Sequence, residues 1–284
     1  MLDLNYQYRE LLTNLVMYPD IGDGIDREYN ARTGDYLRRF LTPQILSVRL
    51  NQGVPCPRWR RIHPAPALAD LLWQLQGTTD LTWLNRHVPY MWGPYVEDGR
   101  LPKAYGVRYM WQLPILIEHL RSDPTSRQAY LGLWNAEHDL ADGPRAPMPP
   151  CPVGLHFRVT HHPCMTLDAT VVLRSSDSVI GLPHDLMTFG MLQTLMARSL
   201  GYAVGTLHLV ALDLHIYECH LLPMRSMLYR RQWLDPILLQ VPELDILESS
   251  SMDSADRDRL VEDWRHTHRS AVQLAPHYVV SLSR

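Results

Sequence analysis

A segment near the middle of the chain, residues 185–200, is apolar almost all round. A helix of that composition has no side suited to water, so the segment predicts a buried helix. The rest of the chain is able to cover it, because 46% of all residues are apolar and 20% are charged. The first constraint on the fold is therefore a helix enclosed by other elements.

Helical and strand patterns interleave along the chain around this segment. Helices are predicted over residues 4–17, 65–76 and 114–121, and strands over 35–50, 130–135, 155–162, 165–177 and 207–217. Gly77 is expected to end the second helix, and residues 21–35 are expected to form a loop because they are rich in Gly, Asp and Asn. The elements lack the regular alternation of a doubly wound fold. We predict a mixed α+β fold with one domain over residues 1–284.

Charge and composition argue against several classes of partner. The net charge of -3 predicts no broad attraction to nucleic acid or to an anionic membrane. The four cysteines form no CxxC pair, and the 14 histidines form no HExxH motif, so no metal is expected. Neither a signal peptide nor an apolar run of membrane-spanning length is visible. These features predict a cytoplasmic protein with reduced thiols.

Cys151, in the string PPCP, is the first candidate for chemistry. A cysteine beside a proline-rich turn is most often a small buried hydrophobe, and a reactive one needs a positive neighbour to hold the thiolate. Arg174 could serve, because it lies on a predicted strand that plausibly pairs with the strand after Cys151. The residues alone leave both readings open.

Two further clusters follow along the chain. The string RSSD at 174–177 precedes GLPHD at 181–185, and by itself it could be a solvated turn. Strand alternation puts Asp213, His215 and Tyr217 on one face between apolar neighbours. Such a row is either a satisfied buried network or part of a site.

Taken in order, these clusters resemble thymidylate synthase and its nucleotide-hydroxymethylase relatives. Each motif alone is weak, but the ordered set is specific, and it covers residues 25–235, with 236–284 divergent. The motifs are RTG (32–34), DLLWQLQG (70–77), Trp92, AYG (104–106), DPTSR (123–127), WN (134–135), PPC (149–151), RSSD (174–177), GLPHD (181–185) and DLHIYECH (213–220).

The resemblance implies a fold and a reaction. The fold would be thymidylate synthase-like, a mixed β-sheet with surrounding helices, and two copies would pack sheet to sheet as a homodimer. A cysteine thiolate would add to C6 of a pyrimidine monophosphate, and C5 would then take a one-carbon unit from 5,10-methylenetetrahydrofolate.

The resemblance also implies roles for individual residues. Cys151 matches the nucleophile, and Arg127 matches an arginine that crosses to the site of the partner subunit. The implied catalytic residues are Cys151, Asp70, Tyr105, Arg174 and Asp185; the implied nucleotide-binding residues are Arg32, Arg127, Arg174, Ser175, Asp185, His215 and Tyr217; the implied folate-binding residues are Trp92, Asp177 and Gly181.

Asp185 separates the possible substrates. Thymidylate synthases usually have asparagine here, which pairs with uracil, whereas an ionised carboxylate only accepts hydrogen bonds and suits protonated cytosine. The resemblance is therefore closest to the deoxycytidylate hydroxymethylases. Open alternatives are a deoxycytidylate C5-methyltransferase, a cytidylate (CMP) hydroxymethylase, an ordinary thymidylate synthase, and a catalytically silent nucleotide- or RNA-binding relative.

Several departures from the family pattern bear on the group that is added. Asp70 stands in place of glutamate, Pro152 in place of a common histidine, and Met110 and Gln128 in place of arginines. The last residues, 275–284, lack the usual closing tail. A less sealed site admits water, which favours hydroxymethylation, whereas the shorter Asp70 argues against that outcome.

Overall fold

The computed structural model describes residues 3–17, 24–31, 33–59, 62–89, 91–140, 149–161, 163–230 and 234–269. Within these ranges the strands form three sheets, of five, four and two strands. The strands are β1 (Ile25–Asn30), β2 (Asp35–Phe40), β3 (Gln44–Arg49), β4 (Val54–Cys56), β5 (Tyr130–Gly132), β6 (Pro152–Thr160), β7 (Thr166–Leu173), β8 (Ser176–Asp177), β9 (Ala203–Ala211), β10 (Leu214–Tyr217) and β11 (Ile237–Leu239).

The five-stranded sheet has the order β3-β9-β7-β6-β5. Only β7 and β9 run parallel in it, and its other neighbours are antiparallel. Buried and half-buried residues alternate strictly along β7, so the side chains on one face of that strand are covered and those on the other are not. The second sheet has the order β1-β2-β10-β8, and β4 pairs with β11 in the third.

The helices lie around these sheets. They are α1 (Leu4–Met17), α2 (Ala65–Gln74), α3 (Leu84–His87), α4 (Tyr105–Tyr109), α5 (Leu113–Ser122), α6 (Ala136–Leu140), α7 (Gly181–Leu200), α8 (Leu221–Arg230) and α9 (Ser254–Thr267). The long helix α7 is buried on nearly every side and contacts α2, α5, β4, β7 and β9. This is the enclosed helix that the apolar segment predicts.

The mixed α+β fold is confirmed, and two local expectations are wrong. Residues 25–30 form β1 rather than part of a loop; only Ile25 in that strand is buried, so the sequence shows no apolar alternation there. The helix α7 begins at Gly181, before the apolar segment starts, because Pro183 is accommodated in a first turn, where its missing N–H is not needed.

The predicted strand over residues 207–217 is in fact two strands in different sheets. The chain leaves the five-stranded sheet after β9 and enters the four-stranded sheet at β10, and it makes the same passage from β7 to β8. We call residues 173–176 and 211–214 the paired corners, because they are hydrogen-bonded to each other. Leu212 N donates to Leu173 O (2.8 Å), and Ser176 N donates to Asp213 O (3.0 Å).

The short helix α4 lies against the end of α2 at Gly106. A Cβ at this position would come within 1.9 Å of the backbone oxygen of Gln74. Backbone cannot move aside as a flexible side chain can, so only glycine allows this approach.

We therefore expect Gly106→Ala to lower the free energy of unfolding by about 3 kcal/mol, since overpacking a close contact typically costs 1–3 kcal/mol. The measurement is urea unfolding. Gly93→Ala is the matched control, because a Cβ at Gly93 meets no atom within 4 Å. Equal unfolding midpoints for the two variants would show that α4 does not depend on this approach.

Candidate active site

Cys151 lies in the turn that leads into β6, and Arg174 lies directly after β7. Cys151 carries a thiol that is in no disulfide, and the residue is half-buried. Arg174 N donates to Cys151 O (2.8 Å), and its guanidinium donates from Nε to Pro150 O (3.0 Å) and from Nη2 to Pro149 O (2.8 Å). The antiparallel pairing of β6 with β7 brings the two residues together. These bonds hold the Arg174 guanidinium at the turn that carries the thiol, and a reactive cysteine needs such a positive neighbour.

Tyr105, the first residue of α4, lies against the same turn. The backbone of Cys151 hydrogen-bonds to its phenol oxygen. Burial raises the pKa of Tyr105 well above its usual value, and the charges of Cys151, Asp185 and Asp70 raise it further. Its hydroxyl is therefore neutral and remains able to donate or accept a hydrogen bond at a fixed place beside the Cys151 backbone.

Asp70, on α2, is the centre of a buried polar network. Its side chain is 2% exposed, and three N–H groups reach its two oxygens. Trp92 Nε1 donates to Oδ1 (3.1 Å), while Gln74 Nε2 (2.7 Å) and His184 Nε2 (3.1 Å) lie at Oδ2. Because an ionised carboxylate only accepts, the imidazole nitrogen of His184 must carry the proton it shares with Asp70.

Aromatic contacts connect this network to the thiol. The rings of Trp92 and Tyr105 meet edge to face with their centroids 5.5 Å apart. On the other side of the network, Tyr109 OH donates to Gln74 Oε1 (3.2 Å). Asp70, Trp92, Tyr105 and Cys151 thus form one continuous cluster.

Asp185 is the fifth residue of α7, next to His184. Burial raises the pKa of Asp185; the charge of His184 lowers it and that of Asp70 raises it, for a net value of about 7. Burial lowers the pKa of the His184 imidazole, but the hydrogen bond and charge of Asp70, together with the charge of Asp185, outweigh burial and raise it. Asp185 therefore titrates near neutral pH, beside an imidazole whose pKa is raised.

A second group of polar side chains lies at the paired corners. His215 on β10 is buried, and its Nδ1 lies 3.4 Å from Ser175 Oγ. The rings of His215 and Tyr217 contact edge to face at 5.2 Å. Asp213 lies in a paired corner just before β10 begins. Its Oδ1 is 4.0 Å from His215 Nδ1, and its Oδ2 accepts from Arg39 Nη1 (3.5 Å).

The remaining predicted residues lie in different places. Asp177 on β8 accepts a hydrogen bond from Val179 N (2.8 Å), and it adjoins Gly181 at the start of α7. Arg127 is exposed in the turn between α5 and β5, and within the described ranges no hydrogen bond or ion pair joins it to the cluster. Arg32 falls outside the described residues, as does the segment 275–284.

Sequence reasoning did not assign functions to three members of the network: Gln74, Tyr109 and His184. Gln74 was open to prediction, since it lies four residues after Asp70 in a predicted helix, and such pairs share a helix face. His184 had no comparable signal, because its partner lies in another helix, over a hundred residues earlier in the chain.

A comparison with known protein families matches the family described as thymidylate synthase over residues 6–276. This chain belongs to the thymidylate synthase family. The match extends beyond residues 25–235 and includes most of the C-terminal segment that the motifs alone left as divergent.

Membership of the thymidylate synthase family confirms the coarse prediction of function. The family transfers one-carbon units to C5 of a pyrimidine nucleotide and uses methylenetetrahydrofolate as cosubstrate. In the part of the chain that is described, no helix is long and apolar enough to cross a membrane. The same part contains no group of three or more His, Cys, Asp or Glu side chains arranged to hold a metal ion.

Proposed function

We propose that this chain is a deoxycytidylate hydroxymethylase, which transfers a one-carbon unit from 5,10-methylenetetrahydrofolate to C5 of dCMP. The observation that carries the proposal is Asp185, a carboxyl with a pKa of about 7 within the cluster that contains Cys151 and Tyr105. A titratable acid at this position can form hydrogen bonds to N3 and to the exocyclic amine of cytosine.

The proposed nucleophile is Cys151. Its thiolate adds to C6 of the ring, which makes C5 nucleophilic enough to attack the one-carbon unit of the folate. Arg174 supplies positive charge at the turn that carries the thiol. Tyr105 adjoins the Cys151 backbone, which supports a proposed role in relaying the proton that leaves C5.

Asp185 fits cytosine in either protonation state of the pair. A neutral carboxyl donates to N3 and accepts from the exocyclic amine, while a carboxylate accepts from both groups once N3 is protonated. The second arrangement is charge-assisted and therefore stronger. Uracil suits only the neutral carboxyl, because an ionised Asp185 would place an acceptor against O4 at a cost of about 1–3 kcal/mol.

The sugar and phosphate are assigned to the paired corners and to arginines. We propose that His215 and Tyr217 bind the 3′-hydroxyl, with Ser175 and the arginines Arg32, Arg127 and Arg174 on the phosphate. Guanidinium groups match phosphate oxygens in bidentate geometry.

Arg127 is proposed to act on the site of a partner subunit in a sheet-to-sheet homodimer. Its exposure in the described chain supports that role, because its own cluster does not use it. The half-buried face of β7 supports the packing of the two sheets, since every second residue there is left partly open to solvent.

The folate is assigned to the side of the cluster where Trp92 and the start of α7 lie. We propose that the half-buried ring of Trp92 forms an apolar wall for the cosubstrate. Asp177 would hold the pterin-type ring as a hydrogen-bond acceptor, beside the backbone of Gly181. These residues would hold and orient the folate, whose one-carbon unit is transferred to C5.

The test is mass analysis of the products that the purified protein makes from dCMP, CMP and dUMP with methylenetetrahydrofolate. We expect dCMP to gain CH₂O. A gain of CH₂ instead would make the protein a methyltransferase, and turnover of dUMP alone would reject cytosine recognition by Asp185. If no nucleotide gains mass, the chain is a silent relative.

A further inference from the structure

The carboxylate of Asp70 is already occupied by protein donors. Three N–H groups, from Trp92, Gln74 and His184, lie within 2.7–3.1 Å of its oxygens, and its side chain is 2% exposed. A carboxylate has about four acceptor positions, and three of those on Asp70 are filled by bonds that hold α2, α7 and Trp92 together. Burial leaves the remaining position little access to water. Asp70 is built to orient its neighbours.

His184 has the opposite character. In the neutral imidazole the Nε2–H is committed to Asp70, which leaves the lone pair on Nδ1, and among the described residues no hydrogen bond engages that nitrogen. Its side chain is 17% exposed, so a water molecule can reach the ring although the ring is largely enclosed. An acid that fixes a histidine through one nitrogen, and so leaves the other as a base, is the arrangement used to activate hydroxyl nucleophiles.

The location suits a step at C5 of the base. His184 directly precedes Asp185 on α7, and the charges of the two side chains affect each other. Through Asp70 and Trp92 the imidazole is connected to Tyr105, beside the Cys151 backbone. A base held by Asp185 and bonded to Cys151 would therefore lie next to the imidazole.

We infer that His184, oriented by Asp70, is the general base that activates water for addition to the nucleotide. This inference rests on the proposed function. After the folate leaves, the base carries an exocyclic methylene at C5 and the Cys151 sulfur at C6. The water oxygen forms a bond to the methylene carbon, and its proton passes to His184 Nδ1. The displaced electron pair forms the C5–C6 double bond and expels the thiolate, which completes the hydroxymethyl product.

The test is His184→Gln, because glutamine can still donate an amide N–H to Asp70 but provides no base. Two rates are measured in the same reaction with 5-tritiated dCMP: the release of tritium from C5, which precedes water addition, and the formation of hydroxymethyl product. An added thiol, 2-mercaptoethanol, traps any exocyclic methylene that water does not reach. His161→Gln is the matched control, since His161 is exposed at the far end of β6, roughly 30 Å from Cys151 at 3.3 Å per residue.

We expect the hydroxymethyl product to fall by about 10²-fold in His184→Gln, the lower range for loss of a general base. Tritium release should change little, and the thiol-trapped product should increase. Equal losses of tritium release and product in a folded variant, or no loss of product, would overturn the role of His184 while leaving cytidylate transfer intact. Methylated product from the wild-type protein would overturn it as well. If wild-type protein releases no tritium from dCMP or CMP, the proposed function fails and this inference fails with it.

Discussion

Cys151→Ser is expected to lower turnover of dCMP by about 10⁴-fold or more, since removing a nucleophile eliminates the covalent route. A serine hydroxyl is a far weaker nucleophile than a thiolate at neutral pH. The substitution is nearly isosteric, so Arg174 should keep its bonds to the turn at Pro149 and Pro150. Nucleotide affinity should therefore change little, as measured by calorimetric titration with dCMP.

Cys164→Ser is the control for that experiment, because Cys164 is an exposed thiol at the opposite end of β6. It should retain wild-type turnover. A Cys151→Ser protein that kept a tenth of the wild-type rate would show that the reaction does not pass through this sulfur. A variant that lost dCMP binding as well would place Cys151 in the architecture of the site and leave its chemistry unproven.

Asp185→Asn is expected to reverse the preference between the two pyrimidines. The asparagine amide donates to uracil O4 and accepts from N3–H, so dUMP gains a matched partner, while cytosine loses its charge-assisted pair. Each mismatch costs about 1–3 kcal/mol, or roughly 5- to 150-fold in kcat/KM. The measurement is competition between dCMP and dUMP in one reaction, with Asp235→Asn, an exposed carboxylate, as control.

The same variant tests the proton on Asp185. The pKa of about 7 means that the carboxyl holds its proton below pH 7 and loses it above. Once both Asp185 and N3 are unprotonated, an acceptor faces an acceptor, so kcat/KM for dCMP should fall about tenfold per pH unit on the basic side. Asparagine does not titrate, so Asp185→Asn should lack this decline. An unchanged basic limb in the variant would assign that titration to another group.

Much of the architecture could be predicted because the strongest signals are local. Apolar spacing predicts the helices around residues 4–17, 65–76 and 185–200, and this spacing can be found without knowing which elements they pack against. The strand β1 was not predicted because its side chains show no apolar alternation. Its backbone pairing with β2 holds it in the sheet. The split between β9 and β10 was missed for another reason. The apolar positions change from 207, 209 and 211 to 212, 214 and 216 at the corner, but a shift of one residue is equally typical of a bulge within one strand.

The site was predictable as a set of residues but not as a network. The order of the motifs singled out Cys151, Arg174 and Asp185, and the structure brings the first two into direct contact. Two of the donors around Asp70 come from a loop and a helix that lie outside α2, so no spacing rule could join Trp92 and His184 to it. Arg127 stays a prediction, because its proposed role depends on a second copy of the chain.

The paired corners have a consequence for how such a chain can vary in length. Each corner satisfies backbone groups of the other, and Ser178 N reaches His215 O (2.8 Å) just beyond them. Removing one residue from either corner would shift the register of both passages, and it would turn Ser175 and His215 away from each other. Insertions and deletions should therefore be tolerated in exposed turns such as residues 97–100, whereas residues 173–176 and 211–214 should accept substitutions but no change of length.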